Sequence, residues 1–434
     1  MANLAYGLQH VKSHLDQMIS SQEILHLAEE LGLTWRKRKL NPATTVCAWL
    51  LQLLAHVALA GLGRVTQIPA SAAAFCKAKQ RLPLQLLQKL VARSSRTQGA
   101  EPWRWKTFTL CLVDGTSATT PDTAPLAGHF GKAKNQRGTS SGYPIVKLLA
   151  LLDGSTGLLS KVISLPSWRQ EPTCLTRLWA VAAGLGEKVL VLGDRGLVSF
   201  SPMALLLSQG LQGCFRLPKC QVVKSQRRKS GRLLKRLGRQ DLLVSWSRTT
   251  CPKWMSRPQW EAPGPVDCTL ILRQIAFRVY RPGYRVTWAW IITTLLDPTH
   301  YPAQELIELY GRRWQVEVYF RDLKQTLKMK ALTCRTLAGV QKEILLFVLL
   351  YNLVRRVMLQ AAVHQGTTPN RLSFIDACRW LLWSSPGTPL PALKINALRI
   401  RPAPPRRLKS TRTKYPPLHG HRPQLTRPPC SVKL

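Results

Sequence analysis

Two short apolar runs, Thr107–Val113 and Lys188–Leu192, end in the same way. Each meets an aspartate and then a glycine-bearing turn, Asp114-Gly115-Thr116 in one case and Asp194-Arg195-Gly196 in the other. Apolar runs without polar alternation predict strands covered on both faces, and so an α/β architecture. In open α/β sheets, ligands sit outside the carboxyl ends of the strands. A single aspartate at that edge more often caps the next turn. Two of them in a chain with few acids are a stronger signal, because only 21 of its 434 residues are Asp or Glu.

Those 21 acids stand against 63 Lys+Arg, a formal net charge of +42. Such an imbalance exceeds what solubility requires and points to a polyanionic partner. The hydrophobic share of 45% is enough for sizeable cores, and the length suits two or three domains. The eleven cysteines form no C-x2-C pair and no Cys/His cluster at zinc spacing, which predicts buried, reduced thiols. The nine histidines are dispersed, His129 and His300 among them. No P-loop is present, so nothing supports ATP-driven action. Residues Asn41 to Gly63 carry no charged side chain but include Thr44, Thr45, Gln52 and His56, and a buried core helix is expected there. Asn41-Pro42 reads as its N-cap and first turn.

The periodicity divides the chain. Residues 1–98 read as a helical N-terminal region. Strands and helices alternate through 103–212. A β-rich stretch at 213–294 interleaves basic residues with Trp246, Trp254, Trp260, Trp288 and Trp290. Helices return at 295–360, beginning with Ala303–Leu327, and a last helix and a basic, Pro-rich tail fill 361–434. Asp153 and Asp297 are expected to serve turns or caps.

The helix Ala303–Leu327 carries Tyr310, Arg313, Glu317 and Lys324, spaced Y-x2-R-x3-E-x6-K. At about 100° per residue these four fall within an arc of roughly 60°. One carboxylate then lies among two cations and a phenol. An amphipathic helix with an ordinary Arg313–Glu317 pair would give the same stripe. The two aspartates change that balance. Asp114, Asp194 and Glu317, brought together, would suit two Mg²⁺ ions and in-line attack on a phosphodiester. The nearby cations would neutralise phosphate charge.

Taken together, these segments resemble the bacterial insertion-sequence-four family of DDE transposases. The likeness extends to Arg137-Gly138 with Tyr143-Pro144, to Cys334-Arg335-Thr336, to Gly339–Ile344, to Tyr351–Arg355, and to the basic end around Arg406, Arg407, Lys409 and Pro416. One local departure is that Gly196–Ser199 precede Phe200, where the family often carries an aromatic sooner after the Asp-Arg pair. The resemblance implies an α/β fold with an RNase H-like catalytic core, a β-rich insertion between Asp194 and Glu317, and a helical N-terminal domain that binds DNA. Asp114, Asp194 and Glu317 would be the catalytic, metal-binding triad for two Mg²⁺ ions, with Mn²⁺ an acceptable substitute. Tyr310, Arg313 and Lys324 would contact phosphates at the transposon end, and Arg195 would lie on the DNA beside them. A tryptophan stacks a flipped base in related enzymes, and Trp314, with Trp288 or Trp290 facing it, is the candidate here. Core packing competes as the role of these rings.

The implied activity is cleavage of double-stranded DNA at the element's ends, in the family through a hairpin, and joining of the freed 3′-OH to target DNA. A homodimer in the synaptic complex and a place in the bacterial cytoplasm on the nucleoid follow from the same likeness. Three rivals stay open: an RNase H-like nuclease without strand transfer, an inactive transposase-derived DNA-binding protein, and a basic RNA-associated structural protein.

Overall fold

The structure, a computed structural model, describes residues 6–35, 39–96, 104–134, 140–223, 231–248, 250–261, 269–279 and 286–396. The Arg137-Gly138 pair and the basic tail beyond 396, including Pro416, lie outside the described residues. Helices open the chain: α1 (Gly7–Asp16), α2 (Ser21–Glu30), α3 (Pro42–Ala55), α4 (Leu62–Thr66), α5 (Ala72–Arg81) and α6 (Leu84–Ser94). Asn41 caps α3 as expected: its side chain accepts from the Thr44 N–H at 2.8 Å, with Pro42 in the first turn. α3 is buried along most of its length, and the chain bends sharply between it and α4.

The middle of the chain supplies β1 (Arg104–Trp105), β2 (Phe108–Thr119), α7 (Ala124–Phe130), β3 (Lys132–Lys134), β4 (Ser140–Asp153), β5 (Leu159–Pro166), α8 (Leu175–Ala183), β6 (Val189–Gly193), α9 (Phe200–Ser208) and β7 (Gln212–Arg216). β8 (Gly231–Gly238), β9 (Asp241–Ser247), α10 (Arg257–Glu261), β10 (Thr269–Val279) and β11 (Thr287–Thr293) follow. One sheet runs β3-β4-β2-β6-β7-β11-β10-β9-β8, with β5 on β4 and β1 on β2. β2, β6 and β7 are parallel, and the other strand pairings are antiparallel. The strands from 231 onward thus extend the sheet begun by β2 and β6. β8 was not expected from the sequence, because its Gly231–Gly238 run lacks a clear alternation. It carries Arg232, Lys235 and Arg236 on the sheet's outer strand, where charge discourages edge pairing.

Strand alternation divides two cores. Leu110, Leu112, Leu190 and Leu192 face one, while Cys111, Val113, Val189 and Val191 face the other. The second core is closed by α8 and α9 through Leu178, Trp179, Met203 and Leu206. The first is closed by the N-terminal helices and by α11 (Ala303–Gly311), α12 (Gln315–Arg321), α13 (Leu337–His364) and α14 (Phe374–Trp383). The apolar β2 and β6 are therefore covered on both faces, which is why they read as unbroken apolar runs.

α13 is long and apolar enough to cross a membrane, but 83% of its most apolar window is buried inside the protein. Its polar groups are used as anchors. The Asn352 amide donates to the Leu159 carbonyl at 2.9 Å and to the Ser94 hydroxyl at 2.8 Å, and accepts from the Leu159 N–H at 2.9 Å. The Glu343 carboxylate receives the Thr333 and Cys334 N–H groups. These bonds tie α13 to β5, α6 and the loop after the signature segment Tyr310–Lys324, and they satisfy both buried side chains.

Candidate active site

β2 and β6 pair in parallel up to Val113 and Gly193. The next residue on each strand is an aspartate, so Asp114 and Asp194 emerge side by side where this pairing stops. β2 itself does not end there, contrary to the expected strand Thr107–Val113. It continues to Thr119 on β4, with Asp114 opposite Ala150. The chain near Gly193 is closely packed: a Cβ there would come within 2.6 Å of the Phe215 ring. Glycine lets β6 approach β7 just before its aspartate turns outward.

Asp114 is held from two sides. The Gly115 N–H donates to Oδ1 at 2.8 Å, and Arg313 Nη1 donates to Oδ2 at 3.1 Å. Burial pushes the Asp114 carboxyl up, and the negative charges of Asp194 and Glu171 add to this, while the Gly115 N–H and Arg313 oppose it. Asp194 opens a short 3₁₀ turn, Arg195–Leu197, without capping it through its side chain, and Arg195 is exposed.

The signature segment is helical throughout, but it is not the single regular helix expected from its spacing. α11 ends at Gly311, a 3₁₀ turn covers Arg312–Trp314, α12 follows, and a π turn spans Asp322–Thr326. A 3₁₀ turn advances about 120° per residue, and a π turn less than an α-helix, so a fixed angle cannot carry one face across both. Arg313 lies in the 3₁₀ turn, and its buried guanidinium reaches the sheet. Its other arm is 3.9 Å from the Glu317 carboxylate, which is 47% exposed. Val316 and Phe320, on α12, sit in the first core and dock the helix there. Tyr310 is buried, its ring 5.8 Å from the Arg313 guanidinium, and burial pushes its phenol far up. Its hydroxyl is buried with no hydrogen-bond partner among the described residues. Lys324 lies in the π turn, where burial and then Lys330 lower its ammonium. The chain beyond it returns to β2, with the Thr119 N–H donating to the Lys330 carbonyl at 2.9 Å.

Arg313 thus links Asp114 to Glu317, and the structure brings Asp114, Asp194, Tyr310 and Arg313 into one electrostatic neighbourhood. The donors suit a hard divalent cation, since all three acids are carboxylates and no thiolate competes. The spacing leaves the set open. Among the described residues no three Asp, Glu, His or Cys side chains gather closely enough to hold a metal ion, and Arg313 supplies the positive charge at Asp114.

Glu171 was not singled out by the sequence. It starts a 3₁₀ turn after β5, and its carboxylate lies over both aspartate turns: a Cβ on Gly115 would fall 2.7 Å from Oε1, and one on Gly196 would fall 3.9 Å from Oε2. No local pattern marks it. The only trace in the sequence is that glycine follows Asp114.

The tryptophans separate. Trp314 is half exposed on the 3₁₀ turn. Trp288 is covered by its cross-strand neighbour Arg278, whose guanidinium is 5.1 Å from the ring centre, and Trp290 packs against the second core. Asp153 takes the expected turn role, accepting from the Ser155 and Thr156 N–H groups. Asp297 likewise accepts from the Thr299 N–H.

The strands β8–β11 are fastened to the start of the signature segment by a buried pair. Arg273 on β10 meets Asp241 on β9 through two bonds, at 2.8 and 2.5 Å, and its third arm donates to the Tyr301 carbonyl at 2.6 Å, just before α11. This is the forked geometry in which arginine binds a carboxylate most strongly.

An α/β sheet with two aspartates where its parallel strands part, and a cationic helical segment over them, defines a mixed-charge site suited to phosphoryl transfer. Residues 105–353, more than half the chain, match the transposase DDE domain family, and the chain belongs to that family. Within it, the relatives place the chain among the insertion-sequence-four DDE transposases. It is 27% identical over 310 residues to the transposase InsG for insertion sequence element IS4 of Escherichia coli (strain K12), a match covering 70% of this chain and 65% of that protein. It is 27% identical over 146 residues to the putative transposase InsZ of the same organism, covering 33% and 47%. The chain thus spans less than two thirds of each of these relatives. Among solved structures, the piggyBac transposase synaptic complex with hairpin DNA aligns over 88% of this chain and 80% of that one, at 10% identity and a TM-score of 0.44, too low to carry an argument about fold.

Proposed function

We propose that this protein is a metal-dependent DNA transposase that binds the ends of an insertion element, cleaves them and joins the freed 3′-OH to target DNA. The observation that carries this reading is the placement of Asp114 and Asp194 side by side where β2 and β6 part, with Arg313 reaching Asp114 from the segment that bears Glu317. The sheet order β5-β4-β2-β6-β7, antiparallel up to β2 and parallel beyond it, supports an RNase H-like core.

Asp114, Asp194 and Glu317 are the residues that would hold the divalent ions, Mg²⁺ in this reading. Held there, such ions supply the Lewis acidity that in-line attack on a phosphodiester needs. The rest of the work falls to the chain. Arg313 opposes the rise that burial gives the Asp114 carboxyl, and its release would free that carboxylate for a cation. The Tyr310 hydroxyl, a buried donor without an acceptor, would be satisfied by a phosphate oxygen. Lys324, in the π turn after α12, and the exposed Arg195, next to Asp194, would add positive charge for the DNA strand. α12, docked through Val316 and Phe320, fixes Glu317 relative to β2. The homodimer and the role of the N-terminal helices in end binding belong to the same proposal.

The test is cleavage and strand transfer, with Mg²⁺, of a DNA duplex carrying the element's terminal repeats. Asp114→Asn, Asp194→Asn and Glu317→Gln should each abolish both steps while the protein still binds the duplex. Full activity in any one of them removes that residue from the triad. Cleavage without joining by the wild type would make the protein a nuclease instead.

A further inference from the structure

An exposed aromatic ring stands at the end of the sheet where the two aspartates lie, apart from Asp114, Asp194 and Glu317. Trp168 is 69% exposed, and Tyr143 is 62% exposed. Both lie at the end of the sheet toward which β2 runs past Asp114: Pro166 pairs with Val146, and Val146 pairs with Ala118. Trp168 is on the turn after β5, and Tyr143 is on β4.

The Trp168 turn is fixed by its backbone. The Ser167 N–H donates to the Phe130 carbonyl at 2.8 Å, and the Arg169 N–H donates to the Pro166 carbonyl at 3.0 Å. Lys147, on β4, donates its ammonium to the Arg169 carbonyl at 3.3 Å. Gly131, at φ 76°, lets the indole edge come close: a Cβ there would be 3.4 Å from Trp168 Cδ1. The rest of the ring faces outward, and among the described residues it has no aromatic or cationic partner. Arg169 beside it is exposed, and Glu171 two residues further on lies over Gly115. The turn therefore leads directly from an open indole to the two aspartates.

We propose that Trp168, with Arg169 and Lys147, is a stacking platform for an unpaired nucleotide of the DNA strand that enters the site, on the side away from the insertion and its tryptophans. This rests on the reading of the protein as a transposase and adds to it a second place where a base leaves the duplex. A rigid, exposed ring offers a π-face to any base, and the exposed Arg169 next to it in the chain offers positive charge to its phosphate. Bases within a duplex have no free face to offer it. A second copy of the chain, with its own net charge of +42, would meet like charge there.

The experiment measures binding of the full chain, by fluorescence anisotropy, to two labelled duplexes, one blunt and one with a short unpaired thymidine tail. Wild type should prefer the tailed duplex, and Trp168→Ala should cut that preference by roughly tenfold. Trp168→Phe, which keeps a ring, should retain most of it, and this control separates stacking from misfolding. Arg169→Ala should weaken binding to the tailed duplex and flatten its salt dependence. The same preference in wild type and Trp168→Ala overturns the platform, and so does loss of self-association in the variant with the preference unchanged. Failure of the wild type to bind either duplex would overturn the transposase reading itself. Cleavage by the wild type with no effect of Trp168→Ala on the tailed duplex would overturn the platform alone.

Discussion

Arg313 donates a hydrogen bond to Asp114 at 3.1 Å across 199 residues of sequence. It joins the first strand aspartate to the segment bearing Glu317, and it sits where the proposed ions would have to bring the carboxylates together. The contact therefore serves the fold and occupies a carboxylate oxygen that a bound cation would need.

Replacing Arg313 by Gln should lower stability by about 1–3 kcal/mol, since it leaves the buried Asp114 carboxylate without its cation. The pH dependence gives the sharper reading. The Asp114 carboxyl is already raised by burial, and Arg313 opposes that rise. A raised carboxyl contributes stability below its unfolded value and loses it as pH climbs through the folded one. The variant should therefore lose more stability than wild type across that rise, and thermal melts over a pH series read this directly. Equal slopes would mean that the contact carries no charge effect.

Asp322, in the π turn that follows α12, gives a second pH signal. Burial pushes its carboxyl up to about 6, against the opposing charges of Arg321 and Arg355. The sign is the same: wild type is least burdened below about pH 4 and carries the full cost above about pH 6, about 3 kcal/mol at most. Asp322→Asn should melt higher than wild type at neutral pH, and the difference should vanish in acid. An Asn variant no more stable at neutral pH would show that the buried charge is compensated.

Breaking the buried Arg273–Asp241 pair should cost about 3–5 kcal/mol, because one charge is left without its partner in the interior. Asp241→Asn and Arg273→Met each test this by urea denaturation. Because Arg273 also holds the Tyr301 carbonyl, its loss should reduce cleavage more than Asp241→Asn does at matched stability.

Gly193→Ala should cost about 1–3 kcal/mol by overpacking against the Phe215 ring, and it should displace Asp194 as well. Gly196→Ala, whose added carbon would stand 3.9 Å from Glu171, should be tolerated. Stability and DNA cleavage measured on both variants check the pair. A neutral Gly193→Ala would mean that β6 and β7 can part without cost.

The two aspartates were legible because strands buried on both faces read as apolar runs, and the aspartate after each run marks where the parallel pairing of β2 and β6 stops. The caps at Asn41, Asp153 and Asp297 were legible for a related reason, since each acts within a few residues of itself. Glu171 was not, because nothing nearby in the chain places its carboxylate over Gly115 and Gly196. The signature spacing pointed to the right neighbours but not to their geometry. A regular helix cannot show in advance where it tightens to bring Arg313 to the sheet or widens around Lys324.

The sequence by itself determined the class of the protein: an α/β chain with a strong positive charge, two strand aspartates and a glutamate set among cations. These are local properties, set by alternation, spacing and composition. Only the tertiary structure decided which groups touch. It put Asp114 beside Asp194, drew Arg313 onto Asp114, tied β9 and β10 to Tyr301 through Arg273 and left Trp168 open at the end of the sheet. The physical reason is that each of these depends on strands and helices far apart in the chain packing onto one sheet, and no local pattern records that distance.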